Sequence, residues 1–214
     1  RILLRDRIAS IASILHSPLE SELSFLTKIG VKDSKKLSAK KRCEVSEKIK
    51  NACQSYEVVI VSAKEIDNRE KKRITMNRLE EIKMAEIINK LKPDKIYLDA
   101  ADVNEKRFGQ SIKKLLDYSP NKIISKHKGD DLFPIVSAAS IIAKDKRDLI
   151  VKELNKKYGT FGSGYPSDKR TTEFIKDWVK EHKSVPEFVR KSWETTKKIV
   201  DTEIGTKKIT DFFN

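Results

Sequence analysis

Three short β-rich runs, each followed by an amphipathic stretch, constrain this chain more than any other feature. "YEVVIVSA" at 56–63, "KIYLD" at 95–99 and "NKIISKHK" at 121–128 are dense in branched and aromatic residues, the composition of strands. Between them lie segments of helical rhythm. One runs from about Ser38 to Gln54, and one from Thr75 to Lys92 with a capping threonine and Pro93 behind it. A third is "NEKRFGQSIKKLLDY". Strand–helix alternation predicts an α/β core around a central sheet.

After the third run, "GDDLFPIVSAASIIAKDKRDLIVKELNKKYG" reads as a long helix. Pro134 fits only a first helical turn, so Asp130 and Asp131 must lie at that helix start. The early helix is small and apolar (Val136, Ala138, Ala139, Ile141, Ile142, Ala143), which implies close packing against other backbone. A glycine-rich loop, "GTFGSGYPSD" at 159–168, follows, and then two or three more helices. The first 26 residues are ambiguous. Ile8, Ile11 and Leu15 suggest a helix ending near Pro18, while "RILL" also suits a strand.

Charge narrows the partners. Lys and Arg number 46 against 32 Asp and Glu, a formal +14. The basic residues cluster in "VKDSKKLSAKKR", "KHK" and "KDKR". Such clusters favour a polyanion, because summed positive potential attracts phosphate backbones. Two cysteines, Cys43 and Cys53, without a CxxC pattern or signal peptide, predict a reduced, cytoplasmic protein and no zinc site. No apolar run reaches membrane-spanning length.

Asp99 ends one expected core strand, and Asp130 closely follows another. Ligands in α/β sheets collect at the carboxyl ends of strands. Carboxylates from two strand ends, without histidine, suit Mg²⁺ or Mn²⁺. On a basic protein such ions point to phosphodiester hydrolysis. Helix capping by Asp102, Asp130 or Asp131 is the competing explanation.

Six blocks, in order, carry a resemblance: "VKDSKKLS", "TMNRLE", "YLDAADV", "KHKGDDLFPIVSAASIIAKDKRD", "YGTFGSGYPSD" and "FVRKSWET". The sequence resembles archaeal-type ribonuclease HII from about residue 30 to its end. That resemblance implies an α/β, ribonuclease-H-like fold: a mixed central sheet flanked by helices, with a C-terminal helical region. The catalytic core would span 1–166, the helical region 167–205 and a tail 206–214. It also implies a monomeric endoribonuclease that cuts 5′ of ribonucleotides in RNA–DNA or ribonucleotide-containing duplexes. Asp99 and Asp130 fall on two of the family's catalytic carboxylates, Asp102 and Asp131 become their neighbours, and Tyr165 matches a tyrosine that stacks on sugar. Lys35, Lys36, Arg42, Lys144, Arg147, Arg190 and Lys191 match positions on the backbone-binding face.

The family's N-terminal "GIDEAGRG" block, which supplies two further acids and a loop sensing the 2′-hydroxyl, has no counterpart here. Asp6 follows an apolar pair, Arg7 stands where a second carboxylate belongs, and the first glycine is Gly30. A nucleic-acid-binding protein of the same fold with little or no catalysis is therefore the alternative expectation. Finally, "TKKITDFFN" spaces Ile209, Phe212 and Phe213 like a sliding-clamp-binding peptide, with Thr206 in place of the usual glutamine. In a 3₁₀-like turn these three side chains would share one face.

Overall fold

The computed structural model describes residues 7–9, 20–31 and 37–205. Asp6, Lys35, Lys36, Ile209, Phe212, Phe213 and the expected helix beyond Ala9 lie outside the described residues. In chain order the elements are β1 (Arg7–Ala9), α1 (Glu20–Lys28), α2 (Ala39–Ala52), β2 (Val59–Val61), α3 (Ala63–Lys71) and α4 (Met76–Leu91). There follow β3 (Lys95–Asp99), α5 (Glu105–Lys113), β4 (Lys122–Lys126), α6 (Gly129–Leu132), α7 (Pro134–Tyr158), α8 (Lys169–His182) and α9 (Glu194–Glu203). Among these elements, β1 pairs with β2 and β3 pairs in parallel with β4, Asp99 standing opposite Lys126. No helix among the described residues is long and apolar enough to cross a membrane.

Local chemistry accounts for most boundaries. The Ser38 hydroxyl accepts from the Lys41 N–H to cap α2, and Thr75 does the same for Arg78 at α4. Phe133 is extended, as the residue before a proline must be, and Pro134 opens α7 where its missing N–H is harmless. Three sequence readings need correction. Ile8 lies in a strand rather than a helix. The run 56–63 is strand only over Val59–Val61, because Ser62 accepts from the Glu65 N–H and starts α3. Asp102 does not cap α5: Asn104 holds that position, accepting from Arg107 N–H.

The chain packs as two compact units. Ile8–Ile60 and Ile74–Asp148 belong to one. Its first cluster joins Leu26, Val45 and Ile49 to Ile135, Ala138, Ala139, Ile141 and Ile142 of α7. Here the small residues at the start of α7 share one apolar cluster with Val45 and Ile49 of α2, and Cys53 packs against the same cluster. Two ion pairs fasten that contact: Lys50 to buried Asp145 at 3.3 Å, and Arg42 to Asp148. A second cluster, with Ile87, Ile88, Ile96, Leu98, Phe108 and Ile112, covers the β3–β4 pair. The other unit contains Val61–Arg73 and the chain from Leu149. Its core is aromatic, Phe161 and Phe188 packing with Val151, Ile175, Val179 and Ile199.

Four basic residues adopt left-handed backbone conformations: Arg73, Lys92, Lys128 and Lys183, with φ between 46° and 55°. Lys92 and Lys183 each terminate a helix there, their N–H groups bonding back to Ile88 and Val179 carbonyls.

Candidate active site

Buried Ile96 and Leu98 anchor β3 in the core and deliver Asp99, exposed, to the carboxyl end of the strand. β4 ends beside it, and the Ala100 N–H donates to Lys126 carbonyl at 2.9 Å. The chain then turns through left-handed Lys128 into α6. There the Gly129 N–H donates to Asp99 Oδ1 at 2.9 Å. That bond brings the backbone one residue before Asp130 onto the Asp99 carboxylate.

Only glycine fits at that point. A Cβ on Gly129 would lie 2.9 Å from Asp99 Cα and 3.0 Å from the Leu98 carbonyl oxygen. Both are backbone atoms, so a side chain would force α6 away from β3. On the far side, buried Ser137 of α7 donates its hydroxyl to the Asp130 carbonyl at 2.5 Å. Asp130 is thus held between a glycine contact and a serine bond, and its side chain is half-buried.

The loops around Asp99 are fixed by acids of their own. Asp102 accepts from the Asn104 N–H at 2.8 Å and pairs with Arg107 at 2.5 Å. The Arg107 guanidinium, followed by that backbone bond, holds the Asp102 carboxyl below its usual range. Glu105 bridges the β4 exit, accepting from the His127 N–H at 2.7 Å and Lys126 Nζ at 3.0 Å. Those two donors likewise depress its pKa.

Asp99 Oδ2 meets no protein donor among the described residues, which leaves an oxygen for a cation. The donors present are carboxylate oxygens, the kind hard divalent ions take. No three His, Cys, Asp or Glu side chains gather at one point among the described residues.

The expected basic residues divide by environment. Arg42 bonds Asp148 and donates to the Leu37 carbonyl at 2.9 Å; buried Arg147 donates to the other Asp148 oxygen at 2.9 Å. The Arg42 guanidinium therefore helps join α2 to α7, while Arg147 bonds its own neighbour within α7. Lys144 is half-buried on α7. In the other unit Lys191 is exposed, and the Arg190 guanidinium lies 5.2 Å from the centre of the Trp193 ring.

Tyr165, 36% exposed, rides on a loop pinned from three directions. Asn155 accepts from the Phe161 N–H at 2.8 Å and donates to the Gly162 carbonyl at 3.1 Å. Asp168 accepts from the Ser163 N–H at 2.8 Å and pairs with Arg170. Buried Thr171 accepts from Gly164 N–H at 3.0 Å and donates to Phe161 carbonyl at 2.8 Å. Sequence reasoning missed Gly129, Ser137, Asn155, Asp168 and Thr171. Only Asp168, standing at a helix start as a capping residue would, carried a readable signal.

The family model for ribonuclease HII matches residues 12–196. The chain is 48% identical over 182 residues to ribonuclease HII of Thermococcus sibiricus, covering 84% of this chain and 80% of that one. Among solved structures it is similar to ribonuclease H2 from Pyrococcus horikoshii OT3, with a TM-score of 0.81, 43% identity and 88% of each chain covered. It also resembles the Archaeoglobus fulgidus protein solved as a PCNA:RNase HII complex, at TM-score 0.76 and 38% identity, over 90% of this chain and 88% of that one. These likenesses establish the α/β ribonuclease-H-like class, with its central sheet, flanking helices and C-terminal helical region. The chain belongs to the ribonuclease HII family.

Proposed function

We infer that this chain is an endoribonuclease acting on RNA–DNA hybrids, and we propose that Asp99 and Asp130 carry the chemistry. One observation supports that assignment above others: the Gly129 N–H on Asp99 Oδ1, which ties the two acidic positions together at the end of β3. The two carboxylates would hold Mg²⁺ or Mn²⁺, which supplies activation of water and stabilisation of the leaving oxygen in phosphodiester hydrolysis. The chain's own contribution is positioning. Gly129 and Ser137 fix the backbone on both sides of Asp130, while the Asp102 and Glu105 contacts keep the neighbouring loops in place.

The scissile bond is the one 5′ of a ribonucleotide, leaving a 3′-hydroxyl. Tyr165, on its pinned loop, offers a rigid apolar ring for a sugar face. Lys191, Lys144, Arg190, Lys35 and Lys36 place the duplex through its phosphates and carry no sequence preference. Arg42 and Arg147 support that face from within, through Asp148.

Asp99→Asn and Asp130→Asn are each expected to abolish nicking of a DNA duplex carrying one ribonucleotide, with duplex affinity nearly unchanged. A gel assay for nicked product, with end analysis, and an anisotropy titration check both halves. Nicking that survives either substitution would reassign the chemistry. A wild-type chain that binds the duplex but never nicks it with either ion would favour the non-catalytic reading.

The PCNA complex of the Archaeoglobus fulgidus relative supports a second role for the tail. Ile209, Phe212 and Phe213 would insert together into an apolar pocket of a sliding clamp.

A further inference from the structure

We infer that Asp67 is a positioning residue for duplex binding, acting through the turn that carries Arg190 and Lys191. This deepens the nuclease reading above and rests on it. Asp67 lies on α3, half-buried, in the same compact unit as that turn. Its Oδ2 accepts from the Lys191 N–H at 2.9 Å and its Oδ1 from the Ser192 N–H at 3.0 Å. One carboxylate thus secures two successive backbone amides, both by charge-assisted bonds.

Residues 190–193 lie in neither helix nor strand, between buried Phe188 and Val189 on one side and the start of α9 on the other. Trp193 stands at the N-cap of α9 without a side-chain capping bond. The core fixes the two ends, and Asp67 fixes the middle.

An acid is a poor choice near a phosphate-binding turn unless its charge is used locally. Here both oxygens face main-chain amides, and no ion pair engages the Lys191 ammonium among the described residues. The acid therefore orders the backbone and leaves the exposed lysine pointing to solvent for a phosphate. Arg190 is set at the same time, its guanidinium against Trp193. Ordering a basic side chain before binding removes an entropic penalty that a mobile turn would incur on each encounter.

The test uses the full chain with Asp67→Asn and Asp67→Ala, each alone and combined with Lys191→Ala. Affinity for a DNA duplex bearing one ribonucleotide is followed by anisotropy across a salt series without divalent ion, and KM and kcat by nicking. Asp67→Ala is expected to weaken binding roughly tenfold and to flatten the log–log salt slope by about 0.9, the loss of one phosphate contact. Asp67→Asn, which keeps the volume and one acceptor, should fall between Ala and wild type. KM should rise with kcat within about twofold, and Asp67→Ala with Lys191→Ala should bind no more weakly than Asp67→Ala alone. An unchanged salt slope, or effects that simply add, would overturn the inference even if melting temperature falls, since that pattern marks a structural anchor only. If the wild type fails to nick, the nuclease reading fails while the salt slope still judges Asp67.

Discussion

Gly129 presents a hydrogen atom to the Asp99 backbone where any other residue would present carbon. Gly129→Ala should therefore displace α6 from β3, lose the bond to Asp99 Oδ1 and shift Asp130. Overpacking of this kind destabilises by about 1–3 kcal/mol, but the effect on nicking should be far larger than on melting. Comparing Tm with single-turnover nicking checks this; activity near wild type would mean the contact is not needed for catalysis. Single residues were unevenly legible in the sequence. Asp99 could be found because an acid ending an apolar strand is anomalous. Gly129 could not, because its reason is a backbone 30 residues away in sequence. Asp67 was further hidden, its partners lying 124 and 125 positions on.

Among the elements, the loop at 159–168 shows how charge can set local order. Arg170 first, and then the Ser163 N–H, push the Asp168 carboxyl well below the usual carboxylate range. A depressed folded pKa means that the ionised form is favoured by folding. The stabilisation is complete above the unfolded value near ~3.9 and fades as pH drops through the lower folded value. Asp168→Asn should thus lower Tm at neutral pH, with the gap to wild type narrowing below about pH 4. Melts at several pH values measure it, and a gap independent of pH would refute the assignment. Elements with their own caps, α2 and α4, were readable almost to the residue, since Ser38 and Thr75 act on neighbours three positions away. By contrast, β2 was overextended because its branched composition runs on into Ser62, whose cap belongs to the next helix.

For the whole molecule, net charge gave the partner class but not the surface that binds it. Arg42 and Arg147 look like duplex contacts in the sequence, yet both meet Asp148. Recruitment belongs to this scale too. A Phe212→Ala, Phe213→Ala double variant should lose affinity for the clamp in calorimetry while nicking short duplexes at the wild-type rate. Undiminished clamp affinity would refute a role for the tail.

The left-handed positions have a consequence for heat resistance. Arg73, Lys92, Lys128 and Lys183 occupy conformations in which an L-residue is strained by about 1 kcal/mol relative to glycine. Glycine at all four should raise Tm, but it would remove four of the charges behind the formal +14. The same variant should bind duplex with a shallower salt slope only in so far as these positions meet phosphates, measurable in parallel by scanning calorimetry and anisotropy. Wherever such a position meets a phosphate, thermal endurance and grip on nucleic acid compete, and a breeder of hardier variants would have to choose between them.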